Sequence, residues 1–301
     1  MRIFAGMKGE QMQAMIFAAG MGTRLKPLTD HLPKALVQVG GKPLLEHVLL
    51  RLRAAGISHV VINVHHFSSQ IIHYLSSHDF QMDIRVSEES PLLLDTGGGL
   101  KKARPLLRED APVLIHNVDI LSNVDLRKFY RAGDCFSVGA RHDIIMPGQK
   151  ESSGQDKGCD HDHTRGIRTA EAACRQSRDP ADVFLLASRR KSKRYLVFDD
   201  EMRLVGWTNI ETGEVKSPYS WVKTSLPSLH LLAFAGIHLF SPRLFPLMDE
   251  WPDQFPIMDF YLKNCDKVLI RGYVQDNLQL MDVGKQETLA KAEGFLKDLK
   301  V

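Results

Sequence analysis

Residues 15–36 read MIFAAGMGTRLKPLTDHLPKAL, a short apolar run that ends abruptly at two closely spaced glycines. The apolar residues 14–18 have the length of a strand, and Ala19-Gly20-Met21-Gly22 ends it. Glycines two positions apart allow a tight turn that brings bare backbone N–H groups close to an anion. Arg24 and Lys34 add two cations, and the prolines near them stiffen the loop. The stretch therefore predicts a cradle for a triphosphate.

Two common phosphate-binding motifs do not fit this stretch. The dinucleotide pattern G-x-G-x-x-G fails because Leu25 stands where the third glycine is required. The pattern G-x-x-x-x-G-K-[ST] fails because no Gly-Lys-Ser/Thr sequence follows the loop. An ordinary glycine turn with solvated charges would account for Gly20 and Gly22 alone. It does not account for the longer string, in which GxGTRLxPLT is followed by PKAL.

This longer string resembles the opening of the sugar-phosphate nucleotidyltransferases, the enzymes that make nucleotide sugars. The resemblance implies transfer of a nucleoside monophosphate from a nucleoside triphosphate to a sugar-1-phosphate, with release of pyrophosphate. It implies catalytic roles for Arg24, on the outgoing phosphates, and for Lys34, on the α-phosphate and the incoming phosphate. The loop residues that it predicts to bind the nucleotide are Ala19, Gly20, Gly22, Thr23 and Arg24.

Apolar runs and helical patterns alternate along the chain after this loop. Apolar residues recur at helical spacing over 44–55, and the run 59–64 is typical of a strand buried on both faces. A helix over 68–75 and a strand over 84–86 follow. The alternation predicts an α/β fold with a doubly wound, mostly parallel sheet and a ligand crevice at its carboxyl edge. The resemblance implies the same Rossmann-like, glycosyltransferase-A-like architecture with a small sugar-binding β/α extension.

Acidic and glycine-rich residues follow the third strand. A carboxylate from Glu88 or Glu89 would accept the N3–H of uracil or the N1–H and amino group of guanine, but would not suit cytosine or adenine. The triple glycine 97–99 permits close backbone approach to a flat ligand, and a helix predicted over 100–107 would aim its N-terminus there. The resemblance implies that this stretch lines the nucleotide pocket. The predicted nucleotide-binding residues here are Glu88, Glu89, Gly98 and Gly99.

Two aspartates end apolar runs in opposite halves of the chain, Asp119 after the run at 112–118 and Asp282 after Leu280-Met281. Hard oxygen donors at a sheet edge suit Mg²⁺, which takes one or two protein carboxylates together with phosphates and waters. We expect both aspartates to share one Mg²⁺, which requires the C-terminal segment to fold back over the nucleotide site. The resemblance assigns the sugar phosphate to Asn117, Gly236 and Asp259.

Composition and charge limit the range of partners. A chain of 301 residues with 44% hydrophobic content can bury one large α/β core or two small ones. A net charge of +3 from 39 cations and 36 anions gives no reason to expect a nucleic-acid partner. No apolar run approaches the roughly 20 residues that cross a bilayer, and no secretory signal is recognisable. We expect a cytoplasmic protein with small-molecule substrates and no membrane association, as a monomer or small homo-oligomer.

The segment 141–182 interrupts the pattern. It contains ESSGQDKGCDHDHTRG, which is poor in large apolar residues and rich in turn formers, so a disordered insertion is predicted. The chain is then divided into an N-terminal extension, 1–12, and a nucleotidyltransferase domain, 13–301. Within that domain, 13–125 is the predicted nucleotide-binding half and 183–301 the predicted sugar-phosphate-binding half.

Substrate identity stays open at this level. UTP is favoured because the TGGG stretch and the tracts at 192–199 and 207–209 are most similar to N-acetylmuramate-1-phosphate uridylyltransferases. A GTP-dependent mannose-1-phosphate guanylyltransferase is the alternative. A catalytically inactive regulatory or binding subunit of the same fold is a second class, and retention of Arg24, Lys34, Asp119 and Asp282 argues against it.

Overall fold

The computed structural model of the chain describes residues 12–133 and 181–299. The strands of the first part are β1 Gln13–Phe17, β2 Gln38–Val39, β3 Lys42–Pro43, β4 His59–Val64, β5 Asp83–Glu88, β6 Val113–Asn117 and β7 Ile120–Ser122. Those of the second part are β8 Val183–Ser188, β9 Arg194–Phe198, β10 Leu204–Asn209, β11 Glu214–Lys216, β12 His230–Phe240, β13 Ile270–Tyr273 and β14 Leu280–Asp282. The α-helices are α1 Leu44–Ala54, α2 Ser68–Ser76, α3 Asp95–Ala103, α4 Leu126–Ala132, α5 Val222–Ser225, α6 Phe245–Asp249, α7 Ile257–Asn264 and α8 Gln286–Asp298.

One sheet contains ten of these strands and spans both described parts of the chain. Its order is β11-β10-β9-β12-β6-β1-β4-β5, with β8 paired to β12 and β13 paired to β8. The central strands β6, β1, β4 and β5 are parallel, whereas β12 runs antiparallel to β6. The predicted α/β fold with a parallel central sheet is confirmed.

The order of the central strands defines the place where a ligand is expected. The chain passes from β1 to β4 and β5 on one side, and then returns to place β6 on the other side of β1. Open α/β sheets bind ligands at the carboxyl ends of the strands where the order reverses in this way. Here the reversal lies between β1 and β6, whose last residues, Phe17 and Asn117, are paired neighbours.

Alternating residues of β1 contribute to separate hydrophobic clusters, one on each face of the sheet. Ala14 and Ile16 belong to the cluster formed with α1, α2, α4 and α8. Met15 and Phe17 belong to the cluster formed with α3, α6 and α7. Because both faces are covered, β1 can be apolar along almost its whole length, as a strand of a doubly wound sheet requires. Among the described residues, no helix is both long and apolar enough to cross a bilayer.

Two of the predicted segment boundaries differ from the structure. Met12, placed in the N-terminal extension, is 5% exposed and packs in the core. Asp182, placed in the disordered insertion, is buried: its backbone N–H donates to the Leu269 carbonyl (2.7 Å), and its side chain accepts from the Leu269 N–H (2.9 Å) and pairs with Arg243. Buried carboxylates need such partners, which a local reading of composition does not reveal. The remainder of both segments, 1–11 and 141–180, lies outside the described residues.

Candidate functional site

A cavity of about 300 Å³ opens at the reversal point between β1 and β6. Its walls come from the glycine loop, the ends of β1, β4 and β6, and the segment that leads into α3. The residues that line it are Phe17, Ala18, Ala19, Gly20, Lys34, Asn63, Glu89, Leu93, Asp95, Thr96, Asn117, Val118 and Asp119. The predicted crevice is therefore present at the predicted edge of the sheet.

The two glycines of the loop differ in their surroundings: Gly22 is closely packed, and Gly20 faces open space. Gly22 has a positive φ of 64°, and a Cβ atom there would lie 2.9 Å from Cγ2 of Thr29 and 3.1 Å from Cβ of Lys34. The Thr29 hydroxyl donates to the Gly22 carbonyl (2.8 Å), which ties the turn to the following segment. A Cβ atom at Gly20 would meet no other atom within 4 Å. Gly22 is thus required by the turn, whereas Gly20 leaves open space beside a cavity-lining backbone.

Lys34 lies in the cavity wall and forms an ion pair with Asp119. Each of the two side chains is 13% exposed, so the pair is largely shielded from water. The Pro33-Lys34 segment begins a short 3-10 turn over Lys34–Leu36 that buries Ala35 and Leu36 and leaves the Lys34 side chain pointing at Asp119. The cation predicted to meet the phosphates therefore lies at the reversal point of the sheet.

The C-terminal segment returns to this point. The short strand β14 pairs antiparallel with β7, with Asp282 opposite Ile120, and the Val283 N–H donates to the Asp119 carbonyl (2.8 Å). Asp119 and Asp282 are 163 positions apart in the sequence, but they lie on backbone segments that are hydrogen-bonded to each other. Burial raises the pKa of Asp282, the negative charge of Asp119 raises it further, and the charges of Lys34 and Arg24 lower it.

Arg24 contacts the same region from the glycine loop. Its side chain is exposed, and a Cβ atom built on Gly284 would lie 2.7 Å from Nη2 of Arg24 and 2.6 Å from Oδ1 of Asp282. The Gly284 N–H donates to Oδ1 of Asp282 (2.8 Å), which orients that carboxylate. Absence of a side chain at Gly284 thus lets Arg24 approach the Asp282 segment. Two cations and two carboxylates converge here from four separate segments of the chain.

The carboxylates of Asp119 and Asp282 suit a hard divalent cation. Burial and, after it, the charge of Asp119 raise the pKa of Asp282, and a cation between the two carboxylates would oppose both effects. Within the described ranges, no group of three or more His, Cys, Asp or Glu side chains is arranged to hold a metal ion. A pair of carboxylates nevertheless fits Mg²⁺, because this ion takes few protein ligands and completes its shell with waters and substrate phosphates. Sharing of one ion by the two aspartates stays a prediction.

Glu88 and Glu89 lie in different surroundings although they are neighbours. Glu88 is exposed and accepts a hydrogen bond from the Ser68 hydroxyl (2.6 Å). Glu89 is 1% exposed, lines the cavity, and accepts from Nδ2 of Asn63 (2.6 Å) and the Leu94 N–H (2.8 Å). Sequence reasoning did not identify Asn63. The only sequence signal is a polar residue that interrupts the apolar residues 60–64 of strand β4.

The triple glycine lies inside a helix, so the predicted helix bounds of 100–107 were wrong. Helix α3 begins at Asp95 and carries Gly97, Gly98 and Gly99 in its first two turns. A Cβ atom at Gly98 would lie 1.9 Å from the Asp253 carbonyl oxygen, and one at Gly97 would lie 2.2 Å from the Phe255 ring. The glycines thus allow close packing of protein on protein. Asp95 and Thr96, just before them, line the cavity instead.

The three residues assigned to the sugar phosphate are not all together. Asn117 lines the cavity, and Gly236 lies against it, since a Cβ atom at Gly236 would be 3.0 Å from Nδ2 of Asn117. Gly236 has a positive φ of 75° at an irregularity of β12, which only glycine adopts without strain. Asp259 is exposed in the first turn of α7 and does not line the cavity.

Two histidines are almost fully buried, His116 and His238, one on each of the paired strands β6 and β12. Burial and the charge of Arg51 lower the pKa of His116 to about 4. Burial lowers the pKa of His238 to about 3, and neither ring nitrogen of His238 has a hydrogen-bond partner. Both histidines are therefore neutral in the folded protein at neutral pH, and the folded state resists their protonation.

We expect the free energy of unfolding to fall between pH 7.5 and pH 5. In this range the unfolded chain binds protons at both histidines while the folded chain, whose pKa values are lowered, does not. Stability is therefore complete above the unfolded pKa of about 6.5 and is lost as pH falls towards the folded values, by about 2 kcal/mol for each histidine at pH 5. Urea unfolding at the two pH values measures this, and His238→Phe should remove about half of the loss. Equal wild-type stability at both pH values would contradict the prediction.

Comparison with known proteins agrees with this fold. Residues 13–134 match the nucleotidyl transferase family, and the resemblance seen in the glycine loop is confirmed. The matched segment contains the glycine loop, Lys34, Glu89 and Asp119.

The chain is similar in sequence to proteins named as sugar-1-phosphate nucleotidyltransferases. The chain is 45% identical over 109 residues to N-acetylmuramate alpha-1-phosphate uridylyltransferase of Caulobacter vibrioides, an alignment that covers 35% of this chain and 45% of that protein. It is 35% identical over 121 residues to mannose-1-phosphate guanyltransferase of Aspergillus fumigatus, covering 39% of this chain and 33% of that protein. The chain thus matches less than half the length of these two relatives.

A solved structure extends the likeness of fold beyond the segment matched by the family. A putative glucose-1-phosphate thymidylyltransferase from Bacillus anthracis superposes with a TM-score of 0.67 at 15% identity, covering 96% of this chain and 97% of that one. At this identity the likeness concerns the fold alone. It includes the region after residue 134, which the family match does not cover.

Proposed function

We propose that the protein transfers a nucleoside monophosphate from a nucleoside triphosphate to a sugar-1-phosphate and releases pyrophosphate. In this reaction an oxygen of the sugar phosphate forms a bond to the α-phosphorus, while the bond from that phosphorus to the oxygen bridging to the β-phosphate breaks. The convergence of Arg24 and Asp282 on the Lys34–Asp119 pair of the cavity wall supports the proposal most strongly. Two anions must meet in this reaction, and only charge compensation and alignment are needed from the protein.

The chain's own residues divide the work by position. The backbone of Ala19 and Gly20, with open space beside it, would receive the triphosphate. Arg24, exposed on the glycine loop, would bind the outgoing phosphates, and Lys34, in the cavity wall, would bind the α-phosphate and the incoming phosphate. Lys34 would exchange its ion pair with Asp119 for one with phosphate oxygens. No general base is required, because a sugar phosphate is already ionised at neutral pH.

Asp119 and Asp282 would hold Mg²⁺, which when bound supplies positive charge to the α-phosphate and the sugar phosphate. The same aspartates would otherwise repel the substrate phosphates. Lys34, which neutralises Asp119 in the structure, limits that repulsion. The metal and the lysine therefore serve one electrostatic purpose at adjacent positions.

UTP is the favoured nucleotide. The uridylyltransferase relative has the higher identity of the two relatives described, and the acidic residues near the cavity suit a base that donates at its Watson–Crick edge. GTP with mannose-1-phosphate is the second candidate, because guanine offers the same kind of donors and a guanyltransferase relative aligns over a similar length. An inactive subunit of this fold would be expected to lack one of the convergent charges, and all four are present.

Pyrophosphate release tests the proposal directly. The protein is incubated with Mg²⁺, each of the four nucleoside triphosphates, and a set of sugar-1-phosphates. The set includes N-acetylmuramate-1-phosphate and mannose-1-phosphate. Release that requires both a triphosphate and a sugar-1-phosphate is expected, with UTP the best donor. Release with GTP and mannose-1-phosphate alone would favour the second candidate. Nucleotide binding without turnover in every combination would favour the inactive subunit.

Replacing Lys34 by methionine is expected to reduce kcat by more than about 100-fold, on the scale of a lost donor to developing negative charge. The apolar part of the side chain is retained, so the fold should be kept. Lys42→Met is the matched control, since Lys42 is exposed and pairs only with Glu46 among the described residues. Steady-state pyrophosphate release measures both variants. Turnover of Lys34→Met equal to that of the control would remove Lys34 from the mechanism.

A further inference from the structure

A series of buried hydrogen bonds links two sides of the cavity. The Ala18 N–H, at the start of the glycine loop, donates to Oδ1 of Asn63 (2.8 Å). Nδ2 of Asn63 donates to Oε1 of Glu89 (2.6 Å), and Oε2 of Glu89 accepts from the Leu94 N–H (2.8 Å). Leu94 immediately precedes helix α3. The glycine loop and the start of helix α3 are thus connected through two side chains, those of Asn63 and Glu89.

Both side chains are deeply buried, Asn63 at 3% exposure and Glu89 at 1%. Across the described parts of the chain, no Lys, Arg or His side chain lies within ion-pair distance of Glu89. The carboxylate is therefore held by N–H donors, of which Asn63 and Leu94 supply one to each oxygen. Burying a carboxylate in this way is costly unless its hydrogen bonds are made.

The packing around the pair is specific to it. A Cβ atom at Gly99 would lie 2.5 Å from Oε1 of Glu89 and 2.8 Å from Nδ2 of Asn63. Glycine at position 99 thus makes room for the Asn63–Glu89 hydrogen bond. The backbone of Glu89 is also fixed, because its N–H donates to the Val64 carbonyl (2.8 Å) and its carbonyl lies 2.5 Å from Nδ1 of His65.

We propose that Glu89 and Asn63 are positioning residues that set the distance between the glycine loop and the Leu94–Gly99 segment, and so determine how tightly the nucleoside triphosphate is held. The proposal rests on the proposed function, since it takes the cavity to be the nucleotide site. It assigns to Glu89 a role exerted through Ala18 and Leu94. Loss of the pair should weaken nucleotide binding while leaving the sugar-1-phosphate side of the reaction little changed.

In this series of hydrogen bonds each donor meets one acceptor, and exchanging the two side chains tests whether that matching matters. Three donors, the Ala18 N–H, the Asn63 amide and the Leu94 N–H, meet three acceptors. Glu89→Gln adds a donor where an acceptor is needed, so that two N–H donors face each other. Rotating either side-chain amide by 180° only moves this donor–donor clash to another of the three hydrogen bonds. Asn63→Asp removes the central donor and sets two carboxylates against each other. The double exchange, Asn63→Asp with Glu89→Gln, restores one donor to each acceptor at unchanged net charge.

The experiment measures KM for UTP, KM for the sugar-1-phosphate, kcat and melting temperature for the full-length wild type, both single variants and the double exchange. Each single variant should raise KM for UTP about tenfold, the scale of one hydrogen bond to a charged group, and the double exchange should recover most of it. KM for the sugar-1-phosphate should stay within about threefold of the wild type. Glu109→Gln, a change at an exposed position, is the charge-matched control.

Two results would overturn the proposal while wild-type activity is present: an unchanged KM for UTP in Glu89→Gln, or failure of the double exchange to recover it. Equal increases in both KM values together with a large drop in melting temperature would show a purely structural role and would also overturn it. A wild type that is inactive in the full substrate matrix would instead reject the proposed function.

Discussion

Asp282→Asn is expected to lower turnover by more than about 100-fold while leaving the melting temperature of the free protein unchanged or slightly raised. The asparagine keeps the shape of the side chain but removes one of the two charges available to a divalent cation. In the folded protein, burial and the charge of Asp119 raise the pKa of Asp282, so its ionised form is disfavoured there. Removal of this charge relieves repulsion, and activity and stability should therefore move in opposite directions.

Pyrophosphate release, Mg²⁺ titration of the activity and thermal unfolding of the free protein check this pair of outcomes. Asp276→Asn is the matched control, because Asp276 is exposed in the loop that precedes β14. Asp119→Asn should lose activity as well, but it also removes the partner of Lys34 and is the less selective change. If Asp282→Asn retained wild-type turnover at every Mg²⁺ concentration, the shared-metal arrangement would be rejected.

Gly98→Ala is expected to destabilise the protein by about 3 kcal/mol, the upper end of the range for overpacking a well-packed core. The new Cβ atom would lie 1.9 Å from the Asp253 carbonyl oxygen, and a backbone atom cannot move away as a side chain can. This carbonyl belongs to the segment next to Phe255, whose own carbonyl accepts from the Gly97 N–H (2.8 Å). The substitution should therefore separate α3 from the segment before α7 and weaken the cavity wall.

Gly294→Ala provides the control within the same chain. Gly294 also lies in a helix, α8, but a Cβ atom there would meet no other atom within 4 Å. Alanine should therefore stabilise the protein slightly, by up to about 1 kcal/mol, through its higher helix propensity. Chemical denaturation measures the difference between the two variants. Equal stabilities would mean that α3 can shift away from Asp253 without cost.

The strands and the crevice could be predicted because their causes are local in sequence. Continuous apolar runs such as 59–64 predict strands covered on both faces, and β4 occupies the residues predicted. The glycine loop follows directly from the sequence, since Gly22 adopts a positive φ within a few residues of its partner Thr29. Lys34 lies in the cavity wall because the loop that carries it is short and stiffened by Pro33.

Features that depend on distant parts of the chain could not be predicted in this way. Helix α3 begins earlier than expected because its glycines contact Asp253 and Phe255, more than 150 positions away. Asn63 gave only a weak signal, since its partners come from the glycine loop and from Glu89. Asp259 was assigned through resemblance alone, and its exposed position shows that a helix of the right type does not ensure contact with the cavity.

The strand order also affects how the chain assembles. Strands β1, β4, β5 and β6 all come from residues 13–117, whereas β12, which covers the other edge of β6, comes from His230–Phe240. Until β12 docks, β6 is an unpaired apolar edge that can pair with another copy of the chain. Such long-range pairing is slow to form, so the exposed edge persists during folding. Refolding yield should therefore fall as protein concentration rises, and a fragment limited to residues 13–134 would retain this aggregation-prone edge permanently.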